Sequence, residues 1–265
     1  MLASAGIPHR LDPTGEGLTL SVPEEEAGRA REALDALDAE ERAHARPPVA
    51  PDRPVPWVLG IAVGLLMLEG FVITGPPAGG SRWFERGAAI AGLMRAEPWR
   101  SVTALTLHLD VAHVAGNALA TAVLLPAVAQ RLGAGAGLLL VVLAGAAGNV
   151  LAAMTHAPDH SAVGASTATF AAIGMLGTLR LFSGPAGEHT RWKSWTVPAA
   201  SLLLLVLLGA GRGADVLAHV MGFGSGAVFG LVGAVSRQPL GPALQWTLGT
   251  VTAAIIAACW LRALL

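Results

Sequence analysis

The chain has 265 residues, 53% of them hydrophobic and only 13% charged, with a mean hydropathy of +0.58. A soluble domain usually carries about 25% charged residues, so the composition excludes an ordinary water-soluble globule and points to an integral membrane protein. A net charge of -1 offers no basic surface for nucleic acid, so no nucleic-acid partner is expected, and the single cysteine, Cys259, excludes an internal disulfide.

Residues 1–46 read as a small α/β module on the cytosolic side. Leu18, Leu20 and Val22 alternate with Thr19 and Ser21 as in a short strand. Ser21 and Glu24 have the spacing of a capping box, with Pro23 near the first helical position, and Glu24, Glu25 and Glu26 suit the positive end of a helix. Ala27, Ala30, Leu34 and Leu37 then form one apolar stripe. Residues 47–56 are a linker stiffened by Pro47, Pro48, Pro51, Pro54 and Pro56. Met1 to Arg10 lacks a basic start followed by an apolar core, so the first spanning helix is expected to act as its own insertion signal.

Residues 57–265 form the transmembrane domain. Apolar runs of about 17–22 residues match roughly 30 Å of hydrocarbon at 1.5 Å per residue. Spans are expected at 57–74, 112–130, 134–154, 164–182, 195–210, 214–234 and 245–264. Between the first two, residues 75–107 are too polar to span; Trp83, Trp99, Arg86, Arg95 and Arg100 suit the headgroup region. With a cytoplasmic amino terminus, the short cytoplasmic connections hold Arg131, Arg180, Arg191, Lys193 and Arg237, and the opposite ones only Arg212. That follows the positive-inside tendency, although the long first loop runs against it. Lys193 is the only lysine, a weak pointer to a GC-rich bacterial genome, so a bacterial cytoplasmic (inner) membrane is the expected location.

In this topology the second, fourth and sixth spans all begin at the external face, and each carries its unusual polar residues near that start. His113 and Asn117 lie on the second, Ser166 on the fourth and His219 on the sixth. An ionisable residue inside a spanning helix costs roughly 2.5 kcal/mol or more at the bilayer centre, so His219 marks a functional site. A serine hydroxyl needs a neighbouring imidazole to become a nucleophile, and a tetrahedral intermediate needs donors at its oxyanion. Ser166 as nucleophile, His219 as general base, and His113, Asn117 and the Ser166 N–H as oxyanion donors make a set for acyl transfer. Gly222, Gly226 and Gly230 follow His219 on one face in a small-xxx-small series, which lets the sixth span approach the fourth. Phe170, one turn after Ser166, is placed to wall the imidazole. Asp215 precedes His219 by four residues on the same face and is equally placed to cap the helix. His156 and His160, with Asp159, read as a solvated external turn, and His108 as interfacial and structural.

These residues resemble the rhomboid family of intramembrane serine proteases. The matching stretches are Trp99-Arg100, His108 to Asn117 in HLDVAHVAGN, Gly148-Asn149, Ser161 to Ser166 in SAVGAS, and AHVMGFGSG around His219, in family order from about residue 57 to 235. The resemblance implies an all-α polytopic membrane protein with a rhomboid-like six-helix core and a seventh C-terminal helix. It implies a Ser166–His219 dyad, oxyanion roles for His113 and Asn117, and substrate-binding roles for Gly164 and Phe170. It also implies a first loop embedded in the lipid bilayer and cleavage of single-pass transmembrane protein substrates. No metal or organic cofactor is expected.

Three departures from the family pattern stand out. Thr167 stands where the family usually has glycine and is expected to crowd the approach of a substrate carbonyl; Phe170 replaces a frequent tyrosine; Pro126 and Ala129 replace a glycine and a glutamate that brace the first loop. A soluble-hydrolase G-x-S-x-G elbow is set aside because Ala168 takes the last glycine position and no strand is expected before Ser166. A metal or proton carrier using His108, His113 and His219 lacks a carboxylate at depth. A rhomboid-like pseudoprotease that binds or delivers membrane clients is the alternative within the family, and Thr167 is the residue that favours it.

Overall fold

The structure, a computed structural model, describes residues 2–44 apart from 4, 15 and 16, then 54–183 apart from 78 and 79, then 215–235 and 240–265. The chain divides into two compact units, Met1–Asp52 and Arg53–Leu265.

In the first unit, strands β1 (Arg10–Thr14) and β2 (Gly17–Ser21) form an antiparallel hairpin with Leu11 opposite Leu20. A 3-10 turn at Glu24–Glu26 leads into helix α1 (Ala27–His44). Leu2, Ile7 and Ala30 are buried together, with Leu20, Val22 and Ala33 packed around them. The expected capping box does not form. Ser21 stays in β2 opposite Arg10, Pro23 takes the cap position, and no side chain bonds the free N–H groups. The apolar stripe is also displaced: Leu34 is exposed, and the buried face of α1 runs through Ala30 and Ala33.

The second unit is an all-α polytopic membrane bundle. Among the described residues its helices are α2 (Trp57–Thr74), α3 (Arg82–Gly87), α4 (Arg100–Thr103), α5 (Val111–Leu132), α6 (Ala134–Ala153), α7 (Ser166–Ser183), α8 (Val216–Val235) and α9 (Pro242–Leu264). Among the described residues, α2, α5, α6, α8 and α9 are long and apolar enough to cross a membrane, with mean hydropathy between 1.6 and 2.1. Helix α7 is apolar and slightly shorter. The expected span at 195–210 lies outside the described residues.

Close helix contact depends on missing side chains. A Cβ on Gly60 of α2 would lie 2.5 Å from Pro126 of α5, so the buried proline inside α5 is accommodated by a glycine opposite it. Along the α7–α8 seam, Gly222, Gly226 and Gly230 meet the backbone of Thr167, Ala171 and Met175, each one turn further along both helices. The inferred packing of these two spans is therefore what the structure has. Ala144, Ala168, Ala171, Ala172 and Met175 form the buried centre beside it.

The segment between α2 and α5 does not span. Arg100, 3% exposed, organises it by donating to Glu97 (2.6 Å), the Ala88 carbonyl (2.9 Å) and the Glu85 carbonyl (2.8 Å). Asn149 on α6 donates to the Ser101 carbonyl at 2.9 Å and ties this segment to the bundle. The C-terminal helix α9 is clasped at its start: Gln245 donates to the Leu132 carbonyl at the end of α5 (2.9 Å) and accepts from the Ala136 N–H at the start of α6 (3.0 Å). At its other end Trp260 donates to Thr106 Oγ1 (3.0 Å) and stands edge-on to Trp83.

Candidate functional site

The segment that enters α7 is held by the first loop. Strand β3 (Ala89–Ile90) pairs antiparallel with β4 (Ser161–Ala162). Ala91 N–H donates to the His160 carbonyl (3.0 Å), Gly92 N–H to Pro158 (2.9 Å), and Gly164 N–H to Ala104 (2.9 Å). The absence of a strand before Ser166 was thus the wrong expectation. Two-residue strands carry no alternation to read, and this antiparallel pair is unlike the sheet of a soluble hydrolase.

Gly164 has φ +124°, a conformation that L side chains rarely adopt, so the chain turns there and α7 starts only at Ser166. A Cβ on Gly164 would sit 2.6 Å from His113 Nε2 and 3.8 Å from Asn117 Nδ2. Only glycine leaves these two α5 side chains facing the backbone just before Ser166. Asp110 caps α5 by accepting from the His113 N–H at 2.7 Å. Leu109 N–H lies 3.4 Å from His113 Nδ1, and Asn117, buried, donates one amide hydrogen to the His113 carbonyl at 3.0 Å. His108 is fully buried within the protein and stands edge-on to His113, with ring centroids 5.3 Å apart.

Across the α7–α8 seam, Ser166 Oγ lies 2.9 Å from His219 Nε2, a hydrogen bond between side chains 53 residues apart. Ser166 is half-buried at the first position of α7, and His219 is buried on α8. Phe170 covers the imidazole, with ring centroids 4.4 Å apart.

A family model described as a rhomboid domain matches residues 95–236. The chain belongs to the rhomboid family. Over 137 residues, which is 51% of this chain and 67% of the relative, it is 27% identical to the protein named "Putative rhomboid protease YdcA" from Bacillus subtilis (strain 168). The matched region holds all six of the residues singled out for the site, and leaves out α2, α3, α9 and the amino-terminal unit.

Within this rhomboid chain the structure corrects two readings. Thr167 does not crowd the space above Ser166. Its side chain is buried between α6 and α8, where a Cβ on Gly148 or Gly222 would lie 2.7 Å or 3.0 Å from its methyl group. The larger residue is housed by glycines on both neighbouring helices. His156 and His160 are not a solvated turn: both are half-buried, stacked on each other, and hydrogen-bonded to Asp215. Asp215 itself caps α8 by accepting from the Ala218 N–H at 2.9 Å. Burial alone would push its carboxyl up, but the Ala218 N–H and the two imidazoles outweigh that and hold it below the usual carboxylate range. The sequence offered a His-x-x-x-His spacing for this group, but its aspartate partner lies 55 residues away.

Proposed function

We propose that this chain is an intramembrane serine endopeptidase that hydrolyses a peptide bond in or beside a transmembrane segment of a membrane-protein substrate. The observation that carries the reading is the 2.9 Å hydrogen bond between Ser166 Oγ and His219 Nε2, within general-base reach. Ser166 O–H donates to an unprotonated Nε2, so the other ring nitrogen holds the imidazole proton. As Oγ bonds to the scissile carbonyl carbon, its proton passes to Nε2 and the carbonyl oxygen becomes an oxyanion. Collapse of that intermediate breaks the C–N bond, and Nε2 returns the proton to the leaving amine. Water, deprotonated by the same imidazole, then hydrolyses the acyl-serine.

Three features support oxyanion stabilisation. The Leu109 N–H at His113 Nδ1 favours the tautomer with its proton on Nε2, the atom that faces Gly164. The Asn117 amide retains a second hydrogen beside the one given to the His113 carbonyl. Ser166 at the first position of α7 lies at the positive end of that helix. Gly164 and Phe170 border the position a substrate strand would take. A helix hides its carbonyls in its own hydrogen bonds, so single-pass substrates with small, helix-weakening residues near the cut are the expected partners. The site opens toward the external face of a bacterial cytoplasmic membrane, with the amino terminus cytoplasmic.

The test is cleavage of a single-pass transmembrane reporter by purified protein in detergent. Wild-type cleavage, lost in both Ser166→Ala and His219→Ala, is the expected result. Undiminished cleavage in either variant overturns the dyad, and no cleavage by wild-type protein on any of a panel of reporters favours the client-binding pseudoprotease.

A further inference from the structure

The turn between α6 and α7 and the residue ahead of α8 hold a cluster that the proposed chemistry does not use. His156 Nε2 lies 3.0 Å from Asp215 Oδ1 and His160 Nε2 lies 2.7 Å from Asp215 Oδ2. The two imidazoles stack with centroids 3.7 Å apart and planes 15° from parallel. One donor atom from each of the three residues falls within 4.8 Å of the others. They border a cavity of about 10 Å³, roughly one water or one ion in size.

We propose that His156, His160 and Asp215 form a binding site for one borderline divalent cation of the Zn²⁺ class. Two imidazole nitrogens and one carboxylate oxygen are the protein share of an open tetrahedral site, with the fourth position left to water. The nitrogen-rich set disfavours Ca²⁺ and Mg²⁺, which take oxygen ligands. With metal–ligand bonds of about 2.0–2.1 Å, neighbouring ligand atoms of a tetrahedron stand about 3.3 Å apart. The present contacts of 3.0 Å and 2.7 Å run to the two different oxygens of Asp215, so an ion shared by both imidazoles and one of these oxygens enters by rotation of the carboxylate together with movement of the two rings. Each neutral imidazole then carries its hydrogen on Nδ1 and offers the Nε2 lone pair, while Asp215 is already a carboxylate. The rings must tilt out of their stack for the lone pairs to converge, and among the described residues no protein group bonds either Nδ1. This departs from the expectation that the chain takes no metal; the ion has no part in the acyl-transfer steps. Its place is structural, since it would join the turn that runs through β4 into Ser166 to the cap of the helix that carries His219. That consequence rests on the protease reading, whereas the site does not.

The experiment therefore uses full-length Ser166→Ala protein, stripped with chelator and titrated with Zn²⁺ in detergent by calorimetry. One ion per chain is expected, with affinity reduced at least tenfold in His160→Gln and in Asp215→Asn. Because Asp215→Asn also alters a helix cap, the His156→Gln/His160→Gln pair, checked for folding by circular dichroism, is the second variant; Zn²⁺ should raise the melting temperature of the parent and not of this pair. No stoichiometric binding by the parent, or binding that these changes leave intact, overturns the site.

Discussion

Gly226→Ala adds one methyl group to the α7–α8 seam and should disable a site it does not touch. A Cβ there would overlap the carbonyl oxygen of Ala171 and lie 2.5 Å from that residue's Cα, both backbone atoms that cannot rotate away. Carbon atoms rest about 3.5–4.0 Å apart, so α7 and α8 must part by about 1 Å. Overpacking of this kind costs about 1–3 kcal/mol, offset by about 1 kcal/mol from the better helix propensity of alanine. The Ser166–His219 bond spans the same seam, and parting would stretch it from 2.9 Å to about 3.9 Å, beyond the reach of a general base. A misplacement of about 1 Å corresponds to roughly a hundredfold loss of rate. Gly224→Ala is the matched control, because a Cβ there meets nothing within 4 Å. The assay is kcat/KM on a transmembrane reporter, with thermal unfolding of the same samples. Gly226→Ala within twofold of wild type, or an equal loss in Gly224→Ala, would refute the seam argument.

Three further expectations follow from polar groups that hold buried or half-buried hydrogen bonds or charge. His108 is pushed down to about 4 from 6.5 by burial and by the neighbouring charge of His113, against a smaller opposing pull from the Thr106 backbone. Between those values the unfolded chain binds a proton that the folded chain refuses, so stability falls as pH drops, by about 3 kcal/mol in full; His108→Gln should flatten the melting temperature between about pH 7 and about pH 4.5, and an unchanged slope would contradict this. Arg100→Lys cannot serve the three acceptors of the guanidinium fork and leaves a buried carbonyl unpaired, at about 1–3 kcal/mol, so a lower melting temperature is expected. Gln245→Leu strips partners from the Leu132 carbonyl and the Ala136 N–H; faster hydrogen exchange across Pro242–Leu264 is expected, and unchanged protection would show that the clasp does not hold α9.

The spanning helices were legible because hydrocarbon thickness sets a length that a run of apolar residues displays directly. Expected starts at 57 and 134 are the observed starts of α2 and α6. Helix α7 begins two residues later than expected because Gly164 takes a positive φ, a choice that the backbone makes and hydropathy does not show. The glycine face of α8 was legible for a related reason: close approach of two backbones requires the absence of Cβ at every turn. The hairpin strand β1 was missed because Pro13 breaks its pattern; an edge strand tolerates a proline that a central one does not. Pairing of β3 with β4, the clasp by Gln245 and the His156–His160–Asp215 group all join residues far apart in sequence, and no local period records such contacts. Thr167 was misjudged because its neighbours on α6 and α8, not its own position, decide where its side chain goes.

The central claim is that Ser166 is a nucleophile activated by His219. Labelling of the folded, detergent-solubilised protein with a serine-directed fluorophosphonate, followed by mass spectrometry of the modified peptide, tests it without a substrate. The account predicts a single adduct on Ser166, lost on unfolding and reduced at least a hundredfold in His219→Ala. Folded protein that stays unlabelled at Ser166, or labelling that His219→Ala leaves unchanged, would contradict it.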